Sequence, residues 1–192
     1  MKNKLIVFIG SFNPITKAHI NILQLTKQTL DIKDSIIVLT SNNYNKESLI
    51  SFNHRYNMLN LLKDKYNYNI STYENSKPKQ PKTITTLNHL QKLYPNTNLY
   101  LLIGADNFIN FKNWYQPTNI LKKYNLIVIN RDNYNINNTL KESIYKDYIN
   151  KITIINTNKD YSSSSLYRNN PIDNQHLIDN KVLKYIKEYQ LY

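Results

Sequence analysis

The sequence predicts an α/β protein built on a doubly wound parallel sheet in a single domain. Three observations carry this. Short apolar runs recur along the chain (Leu5–Ile9, Ser35–Leu39, Leu99–Ile103, Leu126–Ile129), the pattern of strands buried on both faces. Helical stretches alternate with them, which implies right-handed βαβ crossovers. Both glycines of the chain, Gly10 and Gly104, and also Arg131 fall just after strands. They should therefore share the sheet edge where ligands bind, outside the strand C-termini. At 192 residues one core is ample. One domain over 1–192 is expected, with a helical C-terminal portion, about residues 160–192, packed on it.

Each element follows from local pattern. Leu5–Ile9 is stopped by Gly10, and Pro14 stiffens the loop that follows. From Thr16 or Lys17 a helix runs with Ile20, Leu23 and Leu30 among its apolar positions. After the second strand, Thr40 to Ser51 is polar and loop-like and carries Lys46. Phe52-Asn-His-Arg55 opens a helix with Met58, Leu59 and Leu62 on its apolar face. A weaker third strand falls near Asn69–Tyr73, and Glu74 to Lys82, with Pro78 and Pro81, reads as a turn-rich connection. Thr83 to Tyr94 is a helix with Leu87, Leu90 and Leu93 inward. Leu99–Ile103 stops at Gly104-Ala-Asp106, Trp114 lies in a polar stretch, and Pro117 starts a short helix through Leu121. Leu126–Ile129 and Ile152–Ile155 complete the strands, and Val182 to Tyr189 forms a closing helix.

Composition narrows the chemistry. The chain has no Cys, which excludes disulfides, thiolate catalysis and a cysteine metal cluster. The run at Leu5–Ile9 is too short for a signal peptide or membrane span and no later run is longer, so a soluble, cytoplasmic protein without a membrane partner is expected. A formal net charge of +12 and a pI of about 9.6 suggest a polyanionic partner. The chain is also crowded with Lys, Asn, Ile and Tyr, whose codons are AT-rich, and its lysines are scattered. That favours a solvated surface over a nucleic-acid site. The same bias makes the scarce residues informative: Gly10, Gly104, Ala18, Ala105, Arg55, Arg168 and the lone Trp114 all lie within or beside a motif.

The stretch 4–20 carries the first of these. A strand, a Gly turn and a helix N-terminus together align N–H groups and a positive dipole, a site for an anion. Thr16 and His19, three residues apart, can face the same anion and offer a hydroxyl and a ring N–H to phosphate oxygens. Gly-x-Gly-x-x-Gly and the P-loop are both absent. The spacing Gly10-x-Phe12-x-Pro14-x-Thr16-x-x-His19 resembles the signature of the nucleotidylyltransferase superfamily.

Further motifs in order make the resemblance more specific: Asn-His-Arg (53–55), Ile-Gly-Ala-Asp (103–106), Asn-Trp-Tyr-Gln-Pro (113–117), Ser-Ser-Ser-Leu-Tyr-Arg (163–168) and the tail Tyr-Ile-Lys-Glu-Tyr-Gln-Leu-Tyr. With the first, they resemble the nicotinate/nicotinamide mononucleotide adenylyltransferases across nearly the whole chain. Thr16 stands where His is usual and Asn13 where Asp is usual. The resemblance implies a Rossmann-like sheet. It also implies transfer of the adenylyl group of ATP to the 5′-phosphate of nicotinate or nicotinamide mononucleotide, with release of pyrophosphate, in NAD biosynthesis. The attacking phosphate is already anionic, so such a site needs donors and cations for positioning and charge stabilisation, with no strong base.

The resemblance assigns His19, Thr16 and Arg168 to catalysis on the ATP phosphates, and Gly10, Ser11 and Phe12 to seating phosphate oxygens between the substrates. Ser163, Ser164 and Ser165 would cap a short helix facing the triphosphate, and Gly104 and Asp106 would hold the adenosine, Asp106 serving the ribose, the helix N-cap, or both. Trp114 would stack on the pyridine ring, with Thr83 and Thr86 near the ring substituent and Ser11 on the mononucleotide side. Lys46 is either a ligand of the mononucleotide phosphate or a surface charge, and Arg55 either reaches a phosphate or locks its helix to a neighbour. Mg²⁺ should arrive on the ATP phosphates without a dedicated protein metal site. Acid versus amide preference and homo-oligomerisation stay open. The competing readings are a sister adenylyl- or cytidylyltransferase, such as a pantetheine-phosphate adenylyltransferase, and a basic nucleic-acid-binding protein, whose affinity should fall steeply with salt.

Overall fold

The computed structural model describes residues 2–42, 49–131, 134–157 and 163–192; Lys46 lies outside them. In chain order the elements begin with β1 (Asn3–Gly10), α1 (Lys17–Leu30), β2 (Asp34–Leu39), α2 (Phe52–Asn60), α3 (Lys63–Tyr66) and β3 (Asn69–Ser71). Then come α4 (Thr83–Leu93), β4 (Thr97–Gly104), α5 (Ala105–Ile109), α6 (Pro117–Lys123) and β5 (Asn125–Asn130). The rest comprises α7 (Ile136–Leu140), a 3-10 stretch at Ser143–Lys151, β6 (Ile152–Asn156), α8 (Ser164–Asn169) and α9 (Asn180–Glu188).

Among the described residues six strands form one parallel sheet in the order β3-β2-β1-β4-β5-β6. This is the doubly wound, Rossmann-like arrangement, whose order reverses between β1 and β4 and opens a crevice at their C-terminal ends. Alternation along each strand divides the core between the two faces. Ile6, Ile37, Leu102 and Ile127 pack with Ile20 and Leu23 of α1, Met58 and Leu59 of α2, and Val182 and Ile186 of α9. Leu5, Val7, Val38, Leu101 and Val128 pack with Ile84, Leu87 and Leu90 of α4 and with Ile120 and Leu121 of α6.

Two departures from sequence pattern have local causes. Leu93, expected inward, is 60% exposed. It is the last residue of α4, and Tyr94 takes its place against the core as the chain leaves the helix. Residues 136–151, which show no clear period, fold into α7 and the 3-10 stretch because of tertiary packing. Tyr145 is fully buried against Phe108 at 4.9 Å between ring centroids, and its hydroxyl donates to the Phe108 carbonyl at 3.2 Å.

Candidate active site

The turn from β1 into α1 is shaped by Phe12. Its φ of 43° lies in the left-handed region, where a bulky residue costs about 1–3 kcal/mol. The buried ring sits edge-on to Phe8 at 5.2 Å and to His19 at 5.2 Å. A Cβ on Gly10 would lie 3.0 Å from that ring. Gly10 is therefore required for the close approach of Phe12, since its own backbone is extended within β1 and no glycine has positive φ among the described residues.

Thr16 is the N-cap of α1, and its backbone N–H donates to Nδ1 of His19 at 3.0 Å. An amide can only donate, so Nδ1 is the acceptor and the neutral ring carries its proton on Nε2. The Thr16 hydroxyl lies 2.8 Å from the same Nδ1 and the residue is 1% exposed. This corrects the expectation that both side chains present donors outward: the Thr16 side chain is turned into the protein and orients the imidazole.

Arg55 locks its helix to neighbouring loops. Its side chain is wholly buried, with Nε donating to the Ile50 carbonyl at 3.1 Å and Nη1 to the Ser11 carbonyl at 2.9 Å. Nη2 donates to the Thr40 carbonyl at 3.0 Å and to Asn42 Oδ1 at 2.8 Å. All four acceptors are neutral, and burial pushes the guanidinium pKa down to about 10. On the other side, Ser164 Oγ donates to the Pro14 carbonyl at 2.7 Å and Arg168 Nη1 to the Asn13 carbonyl at 2.6 Å. Ser163 caps α8 by accepting the Leu166 N–H at 3.0 Å, and Ser165 Oγ accepts from Arg168 Nη2 at 3.2 Å. The serine hydroxyls thus build α8 and dock it on the loop, which leaves Arg168 as the cation that α8 brings there.

A cleft of about 730 Å³ runs across the ends of β1 and β4, lined by Gly10, Ser11, Gly104, Thr83 and Trp114 among others. Gly104 is the N-cap of α5, and Asp106 lies in the first turn, so Asp106 is not the cap. A Cβ on Gly104 would meet Asp106 Oδ1 as that exposed carboxylate now lies, so a larger residue there would turn the Asp106 side chain aside. Trp114 is half-buried against Phe111 at 5.1 Å and presents part of its ring to the cleft. Thr83, the first residue of α4, also lines the cleft. Thr86 is corrected: it is 0% exposed and its hydroxyl donates to Glu74 Oε1 at 2.7 Å, behind the wall.

Glu74 was missed in the sequence. Its carboxylate is buried beside the cleft, and Gln80 Nε2 donates to Oε2 while Gln80 Oε1 accepts the Ser41 N–H at 3.0 Å. Burial raises its pKa, against the two donors that lower it. Lys82, also missed, lies exposed on the same wall next to Thr83. The available signal was position: Glu74 follows β3, on the strand edge where ligands bind.

The cytidylyltransferase-like family model matches residues 7–170. A Clostridium acetobutylicum protein named "Probable nicotinate-nucleotide adenylyltransferase" is 30% identical over 200 residues, covering all of both chains. One from Acholeplasma laidlawii with the same name is 32% identical over 189 residues, covering 97% of this chain and 96% of the relative. The chain belongs to the nicotinate-nucleotide adenylyltransferase family. A solved Plasmodium falciparum nicotinic acid mononucleotide adenylyltransferase, complexed with NaAD, superposes with a TM-score of 0.80 at 26% identity, covering 99% of this chain and 97% of that one. The same protein has also been solved with APC. Nicotinate-nucleotide adenylyltransferases are nucleotidyltransferases, and this chain carries the family's first motif with its imidazole, N-cap and glycine in one hydrogen-bonded and packed unit.

Proposed function

We propose that this protein transfers the adenylyl group of ATP to the 5′-phosphate of nicotinate mononucleotide, forming the dinucleotide and pyrophosphate. The observation that carries this is the pairing, along one sheet edge, of the α1 N-terminus with its oriented His19 and a cleft walled by Trp114. In this reading the mononucleotide lies with its ring against Trp114 and its phosphate near Ser11. ATP lies with adenosine toward Gly104 and Asp106, and its phosphates between the α1 N-terminus and Arg168. Ser163, Ser164 and Ser165 hold Arg168 and α8 in place for that contact.

The attacking oxygen needs no base, because a phosphate monoester is ionised at neutral pH. The His19 Nε2–H would stabilise the charge that grows around the α-phosphate and on the departing pyrophosphate. Thr16 acts through His19, and Thr86 through Glu74. The groups this reading sets against the phosphates are the His19 Nε2–H, the α1 N-terminus and the Arg168 guanidinium, a set suited to phosphate oxygens and not to a cation. Mg²⁺ therefore arrives as part of the ATP substrate and supplies charge neutralisation on its phosphates.

The acid is favoured over the amide because the cleft lining offers exposed Lys82 and the positive end of α4, while the nearby Glu74 carboxyl is engaged by Thr86 and Gln80 and burial raises its pKa, which weakens its opposing charge. Pyrophosphate release from ATP should be fast with nicotinate mononucleotide and slower with the amide; preferred turnover of pantetheine phosphate or CTP would sink the reading. Trp114→Ala should weaken mononucleotide binding by about 0.5–1.5 kcal/mol of stacking plus lost apolar contact. Trp114→Phe should recover much of that. Calorimetric titration with each substrate checks it, and equal losses for ATP and mononucleotide would make Trp114 a packing residue only.

A further inference from the structure

The far end of the chain reaches into the first motif. Tyr192 Oη donates to Asn13 Oδ1 at 2.8 Å, across 179 residues of sequence. Asn13 is fully buried, and the same oxygen accepts the Ile50 N–H in a longer bond of 3.4 Å. The Asn13 main-chain carbonyl receives Arg168, and the next carbonyl, of Pro14, receives Ser164. Asn13 is thus the knot where the segment before α2, α8 and the C-terminal tyrosine converge on the loop. Three residues beyond it stands Thr16, whose N–H sets the His19 ring.

Packing alone does not require the hydroxyl. The Tyr192 ring meets Tyr167 edge-on at 5.9 Å, and a phenyl ring would make the same contact. What the hydroxyl adds is a 2.8 Å hydrogen bond to Asn13 Oδ1, shorter than the 3.4 Å bond which that oxygen accepts from the Ile50 N–H. Burial raises the Tyr192 pKa further than the nearby Arg168 and Arg55 cations lower it, so the phenol stays a donor at neutral pH.

We propose that Tyr192 is a positioning residue for the transfer step: through Asn13 it fixes the loop that carries the Thr16–His19 pair. The inference rests on reading that loop as the phosphate site. A misplacement of a catalytic donor by less than an ångström is costly, because transfer depends on geometry.

The test is Tyr192→Phe in the full chain, read by steady-state kinetics with ATP and nicotinate mononucleotide and by amide hydrogen exchange of the peptide spanning 11–19. We expect kcat to fall by about five- to tenfold with the KM for ATP changed less than twofold. Exchange in the loop should speed up by about fivefold, the net worth of one hydrogen bond. Asn13→Ala should give a similar loss, Asn13→Asp, which keeps the acceptor, should retain most of the rate, and Tyr192→Phe should add little to Asn13→Ala. Unchanged exchange and kcat in Tyr192→Phe, or fully additive losses in the double variant, would overturn the proposal. If the wild type fails to turn over these substrates while the variant's loop exchanges faster, the adenylyl-transfer reading falls and the Tyr192–Asn13 link to the loop stands.

Discussion

His19→Ala should slow single-turnover adenylyl transfer by about 10²–10³, the loss expected when one preorganised donor to a developing charge is removed, about 2.7–4 kcal/mol. The affinity for ATP should change far less. The α1 N-terminus, the loop amides and Arg168 remain to hold ground-state phosphates. Deleting the imidazole also removes the acceptor of the Thr16 N–H and the edge-on partner of Phe12, so some stability is lost as well, about 1 kcal/mol for the cap. His19→Gln separates the two effects. Glutamine at this position can still accept the N-cap N–H, as in a capping box, and should return most of the stability while recovering little of the rate. The measurements are the single-turnover rate, the ATP dissociation constant and the thermal midpoint. Wild-type turnover in His19→Ala, or weaker ATP binding at unchanged kcat, would remove His19 from the transition state.

The sheet was legible because its strands are apolar runs cut off sharply by glycine or polar residues, as at Gly10 and Gly104. Strand order was not legible residue by residue. The crossover rule gives handedness and not order; β1 is central because Leu5 to Phe8 pair with β2 on one side and β4 on the other. The 136–151 stretch could not be read because its structure depends on distant contacts, among them Tyr145 with Phe108 and Phe111 and Glu142 with Lys112.

For the site, residue types and spacing were legible and the direction of each side chain was not. Thr16 and His19 at N-cap and N3 satisfy two patterns at once: a pair of donors to an anion, and a capping pair that bonds to itself. The structure adopts the second for Thr16, which leaves the imidazole as the donor. Thr83 and Thr86 are separated in the same way, one on the cleft wall and one behind it with Glu74. Glu74 and Gln80 stayed hidden because a buried polar pair inside a Pro-rich connection has no local period to betray it.

Arg55 offers the second large effect. Arg55→Ala would leave the carbonyls of Ser11, Thr40 and Ile50 and the Asn42 amide oxygen without this donor group. The Thr40 acceptor is buried, and leaving it unpaired costs about 1–3 kcal/mol; Ser11 and Ile50 are half-buried and Asn42 is exposed, so their losses are smaller and will not simply add. A total of about 4 kcal/mol is expected, a large share of the roughly 5–15 kcal/mol that holds a domain folded. For a chain of this length that is a fall in thermal midpoint on the order of 10 °C. Arg55→Lys keeps a cation but concentrates its donors on one nitrogen, which cannot span acceptors on three segments. It should lose about half as much stability, with activity falling in step because Ser11 is held by the same fork. This pattern distinguishes a lock from a phosphate ligand. If Arg55→Lys melts at the wild-type temperature yet binds ATP or the mononucleotide many-fold more weakly, Arg55 acts on substrate and the buried fork is not its main role.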